Sequence, residues 1–207
     1  MSNARPKLYL GFLTVVDRAS YGLIGGYLIL NTAGRPLEFH CTTPVRPSRA
    51  QQILYGPTLE PYLFGEQIGQ SLLSKAKLEP LAVCTDRVEV LAVREYTAVP
   101  VALVLPPEGA FVAPTAGNAL TSAAGGESGA PANSPRSPAK QWRPDTAHLR
   151  PRLLSFSLGR NRLAVAEDNA ADRQRIEERL ASVAESFDLG EPFGRIREAI
   201  EEASGSR

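Results

Sequence analysis

The side chains in this sequence best suited to metal or nucleophile chemistry are His40, Cys41, Cys84 and His148. Imidazole and thiolate hold zinc when four of them close a tetrahedron, and the signature is a close pair of ligands that recurs along the chain. There is no CxxC pair, and His40 and His148 are the only histidines, so the spacing predicts no zinc site. A thiol nucleophile needs a base beside it. His40 and Cys41 are neighbours in a β-prone run, where adjacent side chains point to opposite faces, so no Cys–His dyad is expected. Cys41 falls on the apolar side of its strand and Cys84 in a short apolar run, which predicts two buried, inert thiols. No GxGxxG, P-loop or GxSxG pattern occurs. Tyr21, Tyr55, Tyr62 and Phe64 would suit an aromatic recognition surface, and Arg46 and Arg49 a basic turn for an acidic partner. Core packing and a solvated face are the plainer expectations for these two sets.

The elements that must position these residues are organised around residues 80–106, PLAVCTDRVEVLAVREYTAVPVALVLP. Leu81–Cys84 and Val99–Val104 are continuous apolar runs, the pattern of strands buried on both faces. Between them Asp86 and Glu89 have capping-box spacing, and Val88, Leu91, Ala92 and Glu95 fall at helical intervals. The expectation is a βαβ unit with parallel strands. A single long strand or hairpin competes, because Val88–Val93 is β-prone.

Upstream, residues 7–17, 23–31 and 36–43 read as three strands joined by short turns, an antiparallel meander. Gly25 and Gly26 mark a bulge or a close backbone approach. In the third strand Leu37, Phe39 and Cys41 alternate with Glu38, His40 and Thr42, giving one apolar face. Ser48 caps a short helical piece, and Thr58 caps a longer helix to about Ala76. On a wheel of about 100° per residue, Leu59, Tyr62, Phe64, Gly65, Ile68, Gly69, Leu72, Leu73 and Ala76 form that helix's apolar arc, with Glu66 inside it between Leu73 and Leu59. Gly65 and Gly69 predict close approach to the sheet.

Downstream, residues 107–150 are rich in Pro, Gly, Ala and Ser and read as a disordered linker or insertion. Residues 152–203 read as a strand hairpin followed by two helices that pack on the core, the first with Ile176, Leu180, Val183 and Phe187 as its stripe. The predicted fold is therefore α/β with a mixed sheet: a core domain over 7–105, the insertion, and a C-terminal helical hairpin. With 43% hydrophobic and 22% charged residues and a net charge of +1, a globular core is expected. Global attraction to nucleic acid or anionic membrane is not. MSNARPKLYL lacks a signal-peptide core, no run approaches the ~18 apolar residues of a membrane span, and two cysteines suit a reducing compartment. A soluble cytoplasmic protein is expected.

The succession of three antiparallel strands, a helix, a strand, a short helix and a strand over 7–105 resembles the ribonuclease H-like fold by element order. The resemblance implies that the first and fourth strands lie side by side and parallel. It also implies a nuclease site in which carboxylates from the first strand, the first helix and the fourth strand hold magnesium. The positions it singles out are Asp17, Glu60 or Glu66, and Asp86. Each has a structural reading beside it: Asp17 as a turn residue, Glu60 at a helix N-terminus, Asp86 as an N-cap, and Glu66 at the edge of the buried arc. The leading expectation is a non-catalytic interaction or assembly module, with a protein partner, no cofactor and no membrane. The alternative is a magnesium-dependent ribonuclease H-like nuclease, the one reading that involves nucleic acid.

Overall fold

The computed structural model describes residues 8–18, 21–106 and 151–205. The predicted insertion over 107–150 lies outside the described residues. A mixed sheet of seven strands runs in the order β3-β2-β1-β4-β5-β7-β6. Its strands are β1 Tyr9–Arg18, β2 Gly22–Asn31, β3 Pro36–Cys41, β4 Val83–Thr85, β5 Val101–Leu105, β6 Leu153–Leu158 and β7 Asn161–Ala166. The meander pairs antiparallel, β1 pairs β4 in parallel, and β4 pairs β5 in parallel. The C-terminal hairpin continues the sheet, because β7 pairs antiparallel with β5.

Helices cover both faces. On one face lie α2 (residues 59–73) and a 3-10 helix (Val88–Tyr96), while α1 (Arg49–Tyr55), which precedes α2, buries none of its residues. On the other lie α3 (Ala171–Ala184) and α4 (Glu191–Gly205). Residues of β1 divide by the period of two: Leu10 and Phe12 join the core beneath α3 and α4, while Leu13 and Val15 join the core beneath α2. Phe12 meets the Phe193 ring edge-on at 5.8 Å.

The βαβ unit forms as the two apolar runs require, with a different local device. Residues 88–96 wind as a 3-10 helix that buries Val90, Leu91 and Val93. Its N-cap is Arg87, with no side-chain cap, so the expected Asp86–Glu89 capping box does not form. Asp86 is drawn to the opposite face of the sheet, and Glu89 pairs with Arg87 at 3.4 Å. Thr58 likewise makes no cap; its hydroxyl donates to the Tyr55 carbonyl at 2.9 Å. Ser48 does cap α1, in a complete capping box with Gln51.

Three further expectations about faces change. Residues Tyr62–Gln70 wind as a π-helix, in which the interval per turn exceeds the 3.6 residues of an α-helix. Leu63 therefore turns inward beside Phe64, and Glu66 turns out to solvent. The glycines of this segment meet the 3-10 helix rather than the sheet: a Cβ at Gly65 would strike Ala92, and one at Gly69 would strike Val93. It is Gly25 and Gly26 that admit helices to the sheet. Pointing to opposite faces, they leave room for Ile68 and Leu72 of α2 on one side and Ile196 and Ile200 of α4 on the other. Finally, β3 is an edge strand, and α4 packs over β1 and β2. The apolar face of β3 is left uncovered, with Leu37 and Phe39 41% and 39% exposed and Cys41 exposed. Cys41 is thus not the buried thiol expected of it; Cys84 is buried.

Candidate interaction surface

The carboxylates singled out from the sequence do not converge. Asp86 follows β4 at the carboxyl end of the parallel pair and faces α4. Its Oδ1 accepts a hydrogen bond from the Thr14 hydroxyl at 2.6 Å, and its Oδ2 is paired with the Arg197 guanidinium. Asp17 is exposed in β1, and the alternation places it on the other face, with Leu13 and Val15. Glu60 and Glu66 belong to α2 on that same other face, both exposed. Glu66 accepts from the Tyr96 hydroxyl at 3.1 Å. On the Asp86 side the neighbour on β1 is Thr14, a hydroxyl where a second carboxylate would be needed. Farther along, Arg18 Nη2 lies 3.2 Å from Glu201 Oε1. This is charge attraction without an aligned hydrogen bond, since Nε and Nη2 of Arg18 have no bonded partner. An arginine and a threonine already satisfy the Asp86 oxygens, so the residues present do not fit a magnesium site there. Among the described residues no three His, Cys, Asp or Glu side chains cluster closely enough to hold a metal ion.

His40 and Cys41 point to opposite faces, as expected of strand neighbours. His40 Nε2 lies 3.0 Å from Glu38 Oε2, which also accepts from the Lys77 backbone N–H at 3.0 Å. The hydrogen bond to His40, and then that from Lys77, hold the Glu38 carboxyl below its ordinary pKa. Burial pushes the Cys84 thiol up to about 12, which keeps it protonated and unreactive.

What the fold does assemble is a surface of apolar and aromatic side chains at α1. The helix has seven residues and none of them is buried. Ala50, Ile53 and Leu54 stand at i, i+3 and i+4, the interval of an amphipathic helix's apolar stripe. Here that stripe faces water: Ile53 is 67% and Leu54 81% exposed. A helix this short has little stability of its own in water, and its hydrogen-bonded capping box is the local device that holds it. The Tyr55 ring stacks on Tyr62 of α2 with centroids 4.2 Å apart. The hydrogen bond between these phenols is the first cause of the raised pKa of Tyr55, followed by partial desolvation and the charges of Tyr62 and Glu66. Tyr96 joins from the 3-10 helix, its pKa raised by desolvation and then by the bond to Glu66. A shallow groove of about 420 Å³, lined by Tyr62, Glu66, Gln67, Gln70, Ser71 and Ser74, extends the surface along α2. Of the predicted aromatic set, Tyr55 and Tyr62 are brought together. Phe64 is in the core with the Arg87 guanidinium 5.4 Å from its ring centroid, and Tyr21 stands apart, 61% exposed.

Ile53 and Leu54 are the surface residues that sequence reasoning missed. Their spacing with Ala50 was legible as a stripe, but a stripe does not state whether it faces the core or the solvent. No helix among the described residues is long and apolar enough to cross a membrane. No protein family, curated protein or solved structure matches the chain.

Proposed function

We propose that this protein is a soluble, cytoplasmic, non-catalytic protein-interaction or assembly module that docks its partner on the outward face of α1. The observation that supports this is Ile53 and Leu54, 67% and 81% exposed on a helix that is capped at its start and buries nothing. Large apolar side chains grouped in this way at a surface mark contact sites, and the stacked Tyr55–Tyr62 pair beside them adds the aromatic anchors that interfaces favour. The test compares wild type with Ile53→Asp/Leu54→Asp in cell extract at native abundance, by native size-exclusion chromatography. Wild type should elute in a species well above 22.3 kDa, and the variant should leave it. Equal elution of the two would overturn the proposal.

A second reading, the magnesium-dependent ribonuclease H-like nuclease, draws support from one observation. β1 and β4 are parallel neighbours, with Asp86 at the carboxyl edge of β4. The pairing of Asp86 with Arg197 and Thr14 weighs against it. Magnesium-dependent cleavage of a labelled RNA–DNA hybrid that is lost in Asp86→Asn and Asp17→Asn would favour the nuclease; absence of cleavage by wild type would remove it.

A further inference from the structure

We infer that two copies of this chain join through β3, edge to edge about a two-fold axis at Phe39, so that their sheets run on as one. The inference rests on β3 alone and not on the role proposed for α1. β3 is an outer strand of the sheet, and its pairing with β2 fixes which backbone groups remain for a partner. Cys41 lies opposite Gly26, so Thr42 lies opposite Gly25, and the Thr42 N–H donates to the Gly25 carbonyl at 3.0 Å. In an antiparallel ladder, hydrogen-bonded pairs alternate with non-bonded ones. Glu38 and His40 therefore turn their N–H and C=O toward β2, while Phe39 and Cys41 turn theirs outward. An open edge of this kind is a template for another strand. The apolar side chains on it, Leu37, Phe39 and Cys41, are themselves exposed.

The charged side chains of β3 make it complementary to itself and set the register. Antiparallel pairing of β3 with a second β3 must place outward-turned residues opposite one another, which allows an axis at Glu38, Phe39 or His40. An axis at Glu38 sets two carboxylates face to face, and one at His40 sets two imidazoles face to face. An axis at Phe39 sets each Glu38 opposite the other copy's His40. Opposite charges across a strand pair are favourable and like charges destabilising. Glu38 and His40 already attract within one copy, at 3.0 Å, so the four groups of the pair alternate in sign. On the other face Phe39 meets Phe39 between two Leu37–Cys41 pairs, and each exposed apolar side chain gains an apolar neighbour. Such a contact is isologous and closes at two copies. Because α4 packs over β1 and β2, the trough above the joined β3 strands stays open and Cys41 keeps one side in solvent.

The experiment uses the purified full-length chain and multi-angle light scattering over a wide range of concentration. The expected mass is twice 22.3 kDa at high concentration, falling toward that of one chain on dilution. Phe39→Lys should give a single-chain mass throughout with an unchanged circular dichroism spectrum, since a lysine on an open edge opposes strand addition. Cross-linking reads the register in a separate way. Residues of a hydrogen-bonded antiparallel pair stand about 5.5 Å apart at Cα, within reach of a disulfide. Phe39→Cys/Cys41→Ser should therefore form a disulfide-linked dimer under mild oxidation. In the wild type, Cys41 is offset from its counterpart by the span from Leu37 to Cys41, about 13 Å, and the chain should run as a monomer on a non-reducing gel. Ile53→Asp/Leu54→Asp should leave the mass of the pure dimer unchanged. A wild-type chain that is monomeric at every concentration, a dimer that survives Phe39→Lys, or cross-linking of wild-type Cys41 as fast as that of Phe39→Cys/Cys41→Ser would each overturn the inference. A dimer dissolved by Ile53→Asp/Leu54→Asp would move the contact to α1, overturning the edge pairing and leaving the docking role standing.

Discussion

Replacing Asp172 by alanine should cost this protein more than any surface change. Asp172 sits in the first turn of α3 and is 1% exposed. Its carboxylate accepts from Arg94 Nε at 2.6 Å, from Arg94 Nη2 at 3.2 Å and from the Val101 backbone N–H at 3.4 Å. The contact ties α3 to the 3-10 helix and to the start of β5, and so joins the helical layers from the two faces of the sheet. Removing one partner of a buried pair leaves the other charge uncompensated, at a cost of about 3–5 kcal/mol. The Arg94 side chain keeps 20% exposure and a bond from Nη1 to the Thr97 carbonyl at 2.7 Å, which places the expected loss near the lower end, about 3 kcal/mol. For a chain of this size that is a fall in Tm of about 6–12 °C. Urea unfolding followed by circular dichroism measures it directly. The companion Arg94→Met/Asp172→Leu should recover most of the loss, because apolar residues of similar volume leave no buried charge. An Asp172→Ala variant within about 1 kcal/mol of wild type would refute the reasoning and mean that Arg94 swings to water at no cost.

Other outcomes follow from the same structure. Asn161→Ala should destabilise by about 2–4 kcal/mol, checked by the same unfolding assay, at about 1 kcal/mol for each lost hydrogen bond. Its amide donates to the Ala184 and Phe187 carbonyls, and its oxygen accepts from the Leu189 N–H. A thiol reagent should modify Cys41 rapidly in the folded protein and Cys84 only after denaturant is added, since Cys41 is exposed and Cys84 buried. The Glu38 carboxyl should titrate below the usual carboxylate range by NMR, with the Lys77 amide shift following the same midpoint. Because its folded pKa is depressed, the stability it contributes is present above the ordinary Glu pKa of about 4.3 and is lost as pH falls through the folded value. A midpoint at or above the ordinary value would contradict this.

The sequence disclosed most where a single physical demand dominates. Leu81–Cys84 and Val99–Val104 are too apolar to face water on either side, so they had to be central strands, and β4 and β5 lie inside the sheet. Ser48 and Gln51 sit at capping-box spacing, and both halves of the box form. Legibility failed where a long-range partner outbid a local one. Asp86 had a helix start to cap and was taken instead by Thr14 and Arg197, the latter more than a hundred residues away. Glu66 left its expected place inside the apolar arc, and Leu63 is buried there, because a wheel of 100° per residue does not describe a π-helix. Leu37, Phe39 and Cys41 formed a correct apolar face, yet nothing in an alternating pattern says that the strand will be an edge that no helix covers. Asp172 was hidden among the charges of α3, since its partner Arg94 lies in another element. At the candidate surface the stripe on α1 was legible and its direction was not.

That direction is the central claim, and one measurement tests it most directly: the unfolding free energy of Ile53→Asp/Leu54→Asp beside wild type, taken at a concentration where the chain is monomeric. Side chains 67% and 81% exposed should be replaced within about 0.5 kcal/mol of wild type, as at other surface sites. A loss of several kcal/mol, the scale of emptying a core position, would mean that α1 packs inward, and the docking surface would not exist.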